Sequence, residues 1–112
     1  MLIYTVKDGA LIAVFSGIID DRSLGEYRSI VNLIARGEVN KVVMEFRDET
    51  RLTAALAWVY AKIMVSSIMA SINYNVSMET PKLQTIIDVL NLAIAPVILE
   101  ANSKAFMNEF AK

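Results

Sequence analysis

The sequence predicts a single α/β domain, spanning residues 1–112, in which an open mixed β-sheet carries its helices mainly on one face. The length of 112 residues is that of one compact core. Segments in which apolar residues recur every second position, as in strands, alternate along the chain with segments in which they recur at helical spacing. Hydrophobic residues make up 55% of the chain, and right-handed crossovers between parallel strands place the connecting helices on one face of the sheet.

The first two predicted strands form a β-hairpin. Residues 2–6 alternate in the manner of a strand, and residues 10–15 are apolar and rich in β-forming side chains. Between them, Asp8-Gly9 is a dipeptide typical of two-residue hairpin turns. A short tight connection is therefore expected at this position.

An amphipathic helix and a buried strand follow the hairpin. Ser23 and Glu26 have the spacing of a capping box, and apolar residues then recur at helical spacing until Gly37. Residues 41–46 are a short apolar run typical of a buried strand. Residues 47–51 are predicted to form a charged loop after this strand.

Residues 53–72 carry one charge, Lys62, and are long enough to raise the possibility of a membrane span. We reject a span, because Lys62 would lie near the bilayer centre at a cost of about 2.5–3.5 kcal/mol. The segment therefore predicts a buried helix with two apolar sides. One side carries Ala57, Ala61, Met64, Val65, Ile68 and Ile72, and the other carries Leu56, Val59, Ile63 and Ala70.

The last third of the chain predicts two more strands and two more helices. Residues 74–78 alternate as a strand, and Thr80-Pro81 predicts an N-cap and first helical position for a helix through Leu90. Residues 96–100 predict a final strand, and a short terminal helix carries Phe106 and Phe110 on one side.

This order of elements resembles the STAS domain, the module shared by anti-sigma factor antagonists and the cytosolic ends of sulfate transporters. Gly17-Ile-Ile-Asp20 resembles the family's Gly-x-Leu-Asp, and residues 42–46 resemble its Val-x-Leu-Asp-Leu strand. Counted on without a gap, the family's Asp-Ser-Ser-Gly motif falls on Thr53-Ala54-Ala55-Leu56, and its Ser-Pro pair falls on Thr80-Pro81. The resemblance covers residues 1 to about 101.

The resemblance implies a regulatory function with one important change. In signalling members of the family, a kinase that is also the anti-sigma factor phosphorylates the second Ser of the motif, and the added charge disrupts the complex. That position is Ala55 here, so this phosphorylation cannot occur at it. Thr53 is predicted instead to cap the long helix. A looser resemblance to SpoIIAA-like proteins, which share the fold without the Ser pair and have been compared with lipid-binding folds, implies an apolar ligand.

Composition argues against most classes of enzyme. The chain has no Cys and no His, which removes thiol nucleophiles, imidazole bases and nearly every zinc, haem or iron–sulfur site. We therefore expect a protein that is not an enzyme and that holds no cofactor and no metal. A net charge of −1 argues against nucleic acid, and the absence of a visible secretory signal predicts a cytoplasmic location.

The leading hypothesis is a non-enzymatic module that binds a protein partner, such as an anti-sigma factor, a switch kinase or another regulator. The alternative is a carrier or sensor of an apolar or lipid ligand, bound between the long helix and the terminal helix. We also predict a homodimer formed by the stripe of Leu56, Val59 and Ile63. The competing explanation is a monomer in which the terminal helix folds back and covers this stripe with Phe106 and Phe110. The predicted partner-binding residues are Asp20, Asp21, Asp48, Thr53, Ala54, Ala55, Leu56, Val59 and Ile63.

Overall fold

The computed structural model describes residues 1–92, which form a four-stranded mixed sheet and three α-helices. The strands are β1 (Leu2–Lys7), β2 (Ala10–Phe15), β3 (Lys41–Phe46) and β4 (Asn73–Met78), and the helices are α1 (Leu24–Ala35), α2 (Ala54–Met69) and α3 (Gln84–Leu92). The predicted strand at 96–100 and the predicted terminal helix with Phe106 and Phe110 lie outside the described residues.

The sheet has the order β1-β2-β3-β4, in which β1 runs antiparallel to β2 and the other neighbours are parallel. Asp8 and Gly9 connect β1 to β2 with φ angles of 53° and 81°. Positive φ at both central residues is what a type I′ hairpin turn requires. The predicted α/β class, open mixed sheet and opening hairpin are thus confirmed.

The core lies on one face of this sheet. Because side chains alternate along a strand, Leu11 and Phe15 of β2 point to the same face as Val42 and Phe46 of β3. These four are buried and belong to one cluster with the buried residues of all three helices. The three described helices therefore pack on a single face, as predicted.

Helix α2 is a buried helix, as its apolar sequence predicts. It starts after Thr53, whose Oγ1 accepts a hydrogen bond from the N–H of Leu56 at 3.0 Å, so the predicted N-cap is confirmed. Its one charged residue, Lys62, places Nζ 5.8 Å from the centre of the Trp58 ring. In residues 1–92, no helix has the length and apolar character needed to cross a bilayer.

The predicted dimer stripe on α2 is the side of the helix that packs into the core. Leu56 and Ile63 are fully buried, and Val59 is 3% exposed. They share one cluster with Phe15 and Phe46 of the sheet, so the prediction that they meet a second copy is wrong. Helical spacing revealed two apolar sides of α2, but both are buried to a large extent, because α1, α3 and the sheet surround this helix.

The predicted capping box of α1 is also wrong. Residues 21–23 form a short 3-10 turn ahead of the helix, which holds Ser23 in a helical conformation without a side-chain cap bond. Asp20 takes over this role, since its Oδ1 accepts from the N–H of Arg22 at 3.0 Å and its carbonyl accepts from the N–H of Ser23 at 2.9 Å. The short turn thus moves the cap three residues earlier in the chain.

Helices α1 and α2 end in the same Schellman arrangement, with different residues at its left-handed position. The N–H groups of Glu38 and Ile72 each donate to the carbonyl five residues earlier, at 3.1 and 2.9 Å. The left-handed residue is Gly37 after α1, with φ 71°, and Ser71 after α2, with φ 58°. A side chain at this position costs free energy, which glycine avoids.

We expect Ser71→Gly to raise the free energy of unfolding by about 0.5 kcal/mol and Gly37→Ala to lower it by about 1 kcal/mol. Urea denaturation of the two variants and the wild type measures both effects. The backbone hydrogen bonds are the same at the two sites, so the comparison isolates the cost of a side chain at the left-handed position. A loss of stability in Ser71→Gly would contradict the assignment of strain to Ser71.

Candidate functional site

The predicted site residues collect at one edge of the sheet. The parallel strands β2, β3 and β4 all end at this edge, and the loops that follow them lead into α1, α2 and α3. Asp20, Asp48 and Thr53 lie in these loops, and Asp21 begins the 3-10 turn before α1. In open α/β sheets, this carboxyl edge is where binding sites form.

Hydrogen bonds from the end of β2 hold one side of the loop between β3 and α2. The N–H of Arg47 and the Oγ1 of Thr50 both donate to the carbonyl of Phe15, at 2.9 and 3.0 Å. The N–H of Arg51 donates to the carbonyl of Gly17 at 2.9 Å. Thr50 is 5% exposed, so the loop is anchored by a buried bond as well as by backbone pairing.

Asp48 holds the other side of the same loop. Its N–H donates to Oε2 of Glu79 at 2.7 Å, and its Oδ1 accepts from the hydroxyl of Thr80 at 2.7 Å. Its Oδ2 lies 3.8 Å from Nζ of Lys82. Thr80 stands at the predicted N-cap position, directly before Pro81 of the turn Pro81–Leu83. Its hydroxyl donates to Asp48, so its side chain makes no cap bond there.

Exposed apolar side chains surround the start of α2. Leu52 and Trp58 are each 46% exposed, and Ala54 and Ala55 are exposed in the first turn. Ile18, 60% exposed, is brought beside the loop because its neighbour Gly17 bonds to Arg51. We call these residues the docking surface, which comprises Ile18, Leu52, Ala54, Ala55 and Trp58.

A recess flanks the docking surface. It has a volume of about 220 Å³, and its lining combines apolar side chains with charged side chains near the start of α1. Ile18 and Asp20 line it together with Arg22 and Glu26. The recess therefore offers both apolar contact and charged groups.

Trp58 is fixed from one side by α1. Its ring centre lies 5.0 Å from that of Tyr27, with the rings tilted by 53°. Burial raises the pKa of Tyr27, and the positive charge of Arg28 acts in the opposite direction. The phenol of Tyr27 is therefore neutral at physiological pH, and its ring supports Trp58 as a rigid apolar neighbour.

A second concave region lies at the other end of α2, where that helix meets α1. This groove has a volume of about 330 Å³, and its lining is almost entirely apolar. The lining residues are Val31, Ile34, Ala35, Ser66, Met69 and Ala70. The ligand pocket that the sequence predicts, beside the terminal helix, lies outside the described residues.

The structure separates the predicted site residues into two groups. Asp20, Asp48, Thr53, Ala54 and Ala55 lie at the carboxyl edge, whereas the stripe of Leu56, Val59 and Ile63 lies in the core. The predicted partner-binding residues did not include Ile18, Leu52 and Trp58. The signal that could have found Leu52 is its position as an apolar residue directly after the charged loop 47–51.

The carboxyl edge combines charged and apolar side chains. In the described part of the chain, no group of three or more acidic side chains is arranged to hold a metal ion. Asp48 is engaged in bonds within the protein. The exposed residues near it in the loop are charged, namely Arg47, Glu49 and Arg51, and the apolar Leu52 follows them.

Comparison with known proteins identifies no relative of this chain. No protein family matches it, and neither a curated protein nor a solved structure is significantly similar to it. The open α/β sheet with its helices on one face is a property of the structure itself. The STAS resemblance accordingly stays a prediction from the sequence.

Proposed function

We propose that this protein is a non-enzymatic regulatory module that binds a protein partner through the docking surface. The observation that carries the proposal is the exposure of Leu52, Ala55 and Trp58 on a loop and helix start that are anchored from both sides. Exposed apolar residues grouped at one edge of a domain commonly mark interaction sites. Tryptophan is among the side chains that most often anchor such interfaces.

Rigidity strengthens this proposal. Ordering a loop on binding costs free energy, and a loop already held in place avoids that cost. The loop at 47–53 is bonded to Phe15 and Gly17 on one side and to Glu79 and Thr80 on the other. The free energy lost in ordering this loop on binding is thus small.

The position of Ala55 supports an anti-sigma factor antagonist or a related regulator that is always competent to bind. Ala55 is exposed in the first turn of α2, where the STAS resemblance places the phosphorylated Ser. A phosphate at this position would bring about 1.5–2 negative charges into the interface. Alanine accepts no phosphate, so the partner, an anti-sigma factor or switch kinase in this proposal, is bound without that control.

We expect Ala55→Glu to weaken partner binding at least about 30-fold, because a charge buried without a counter-charge costs several kcal/mol. Glu is favourable near the N-terminus of a helix, so folding is preserved. Candidate partners are the regulators encoded by neighbouring genes. Trp58, the single Trp of the chain, reports binding through its fluorescence.

Met69→Glu is the matched control for this experiment. Met69 is 66% exposed at the opposite end of the same helix, so its replacement adds the same charge away from the docking surface. We expect its affinity to stay within about twofold of the wild type. Equal weakening by the two variants would refute the docking surface.

A separate experiment with the partner kinase and ATP tests constant competence, by which we mean that the protein is never phosphorylated and always able to bind. We expect the intact mass of the protein to remain unchanged after incubation. Stoichiometric phosphate on residues 50–57, which include Thr50 and Thr53, would contradict constant competence. It would leave the docking surface itself in place, so the two parts of the proposal are distinguishable.

The groove between α1 and α2 favours a second candidate function, the carriage or sensing of an apolar ligand. Its volume of about 330 Å³ lies at the lower end of the range for small-molecule sites. Native mass spectrometry of protein purified from cells separates the two functions. A carrier retains a ligand of defined mass that Met69→Glu releases, whereas the docking module has the mass of the chain alone.

A further inference from the structure

The sheet face opposite the helices is uncovered within residues 1–92. All three described helices pack on the other face, so alternate residues of each strand point away from the core. Strand pairing arranges these residues in three rows across the sheet. The rows are Ile3, Val14, Glu45 and Ser77; Thr5, Ile12, Val43 and Asn75; and Lys7, Ala10, Lys41 and Asn73.

The centre of this face is apolar. Ile3 is 52% exposed, and Ile12, Val14 and Val43 are half-buried by their neighbours in the sheet. Together they form a contiguous patch over three strands, since Val14 pairs with Ile3 and Ile12 pairs with Val43. A patch of this kind on a sheet is typical of a surface that packs against another sheet or helix.

The charges on this face are separated along the strand direction. Lys7 and Lys41 lie in one outer row, and Glu45 lies in the other. Glu45 has an exposed ion-pair partner, Arg47, at 3.9 Å, and exposed pairs of this kind contribute little free energy. Glu45 can therefore exchange this partner for a cation on another molecule.

We propose that this face binds a second copy of the chain, related by a two-fold axis that runs across the strands along the middle row. This axis reverses the strand direction, so Glu45 faces Lys41 of the second copy and Lys41 faces its Glu45. Ile12 and Val43 meet their own equivalents on the axis. Val14 packs on Ala10 of the second copy. Ile3, at the edge of the face, packs along the alkyl chain of Lys7, whose ammonium group can still reach solvent.

A two-fold axis parallel to the strands fits this face poorly. It would keep the strand direction and reverse the strand order, so that β2 would lie over β3 of the other copy. Lys41 would then pack on Ala10 and Glu45 on Val14, which buries both charges without partners. Unpaired buried charges are strongly unfavourable, and the axis across the strands is therefore selected.

The size of the face predicts a weak dimer. Four strands about 4.8 Å apart and five residues per strand give a patch roughly 15–20 Å on each side, or about 450–800 Å² over both copies, which is below the usual size of stable interfaces and fits only a weak, transient one. We expect a dissociation constant of roughly 10–100 µM. The helices and the docking surface stay exposed in this dimer, so its failure would leave the proposed function untouched.

Charge reversal tests the pairing in sedimentation velocity runs from about 5 to 500 µM. Lys41→Glu and Glu45→Lys each place like charges opposite each other twice, and each should raise the dissociation constant at least about tenfold. The double variant restores the opposite charges and should return to within about threefold of the wild type. Arg28 is exposed on α1, away from this face, so Arg28→Glu is the control and should leave the dissociation constant unchanged.

Crosslinking tests the geometry independently. The chain has no Cys, so Val43→Cys introduces a single thiol next to the proposed axis. Packed sheets lie about 10 Å apart, and a bis-maleimide of similar reach should join two copies. Arg28→Cys should give no crosslinked dimer under the same conditions.

A wild-type chain that stays monomeric at about 500 µM would overturn the proposal. A folded double variant that remains monomeric while the wild type dimerises would also overturn it, because the charges would then not meet across the interface. Circular dichroism establishes that each variant is folded before its assembly is measured. Restoration of the dimer by the double variant supports the axis across the strands.

Discussion

Replacing Phe46 by Ala is expected to lower the free energy of unfolding by about 3–5 kcal/mol. Phe46 is 1% exposed at the end of β3. Its ring stacks on that of Phe15 at 4.8 Å with an angle of 8°, and it lies 5.8 Å from the ring of Tyr60. Removing it opens a cavity where the sheet and α2 meet, and chemical denaturation measures the loss.

Val6→Ala is the matched control for Phe46→Ala. Val6 lies in edge strand β1 and is 47% exposed, so its truncation removes few buried contacts and should cost under about 1 kcal/mol. Phe46→Leu, which keeps most of the volume, should cost about 1–2 kcal/mol. A loss below 2 kcal/mol in Phe46→Ala would show that this aromatic cluster contributes less than its geometry indicates.

The second large effect is a loss of stability in alkali, caused by Tyr60. Burial raises the pKa of Tyr60 to about 12, and nearby Tyr74 adds to the increase. The phenol is fully buried, and its hydroxyl donates to Oδ1 of Asn91 at 2.6 Å. The unfolded chain loses this proton near pH 10, whereas the folded chain keeps it to higher pH.

The direction of the effect follows from the difference in bound protons. Between pH 10 and 12, the folded state binds more protons at Tyr60 than the unfolded state, so its stability falls as the pH rises. The contribution is fully present below pH 10, and its loss by pH 12 is about 2–3 kcal/mol. Urea denaturation at a series of pH values should show this slope in the wild type.

Tyr60→Phe isolates this contribution. The variant has no titrating phenol at position 60, so the difference in stability between it and the wild type should shrink or reverse between pH 10 and 12. A residual slope is expected from Tyr27, whose pKa is also raised by burial. Parallel pH profiles for the two proteins would contradict the assignment to Tyr60.

The parts of the fold that sequence predicts well are those with a local physical cause. Asp8 and Gly9 adopt the positive φ angles that their turn type needs, and Gly37 ends α1 for the same conformational reason. The sequence places Thr80 correctly at the N-cap before Pro81, but the side-chain bonds at this cap and at the start of α1 depend on distant or preceding structure. Thr80 donates to Asp48, a residue 32 positions away, and no local pattern reveals such a bond.

The candidate site was predictable to the extent that it depends on topology. Loops after parallel strands meet at one edge, and this rule brings Asp20, which follows β2, to the same edge as Asp48 and Thr53, which follow β3. The orientation of α2 was not predictable, since a helix with two apolar sides gives no periodic signal for which side faces the sheet. The structure exposes Trp58 and buries Leu56 on this helix.

The anchoring of the loop between β3 and α2 has a consequence for hydrogen exchange. The N–H groups of Arg47, Thr50 and Arg51 are all hydrogen-bonded to backbone carbonyls, although they lie outside the strands. Their deuterium uptake should follow the opening of the β2–β3 pairing instead of the fast fraying of a free loop. The loop beside the proposed docking surface would then be among the slowly opening parts of the domain, and binding of a partner there would change its protection factors little.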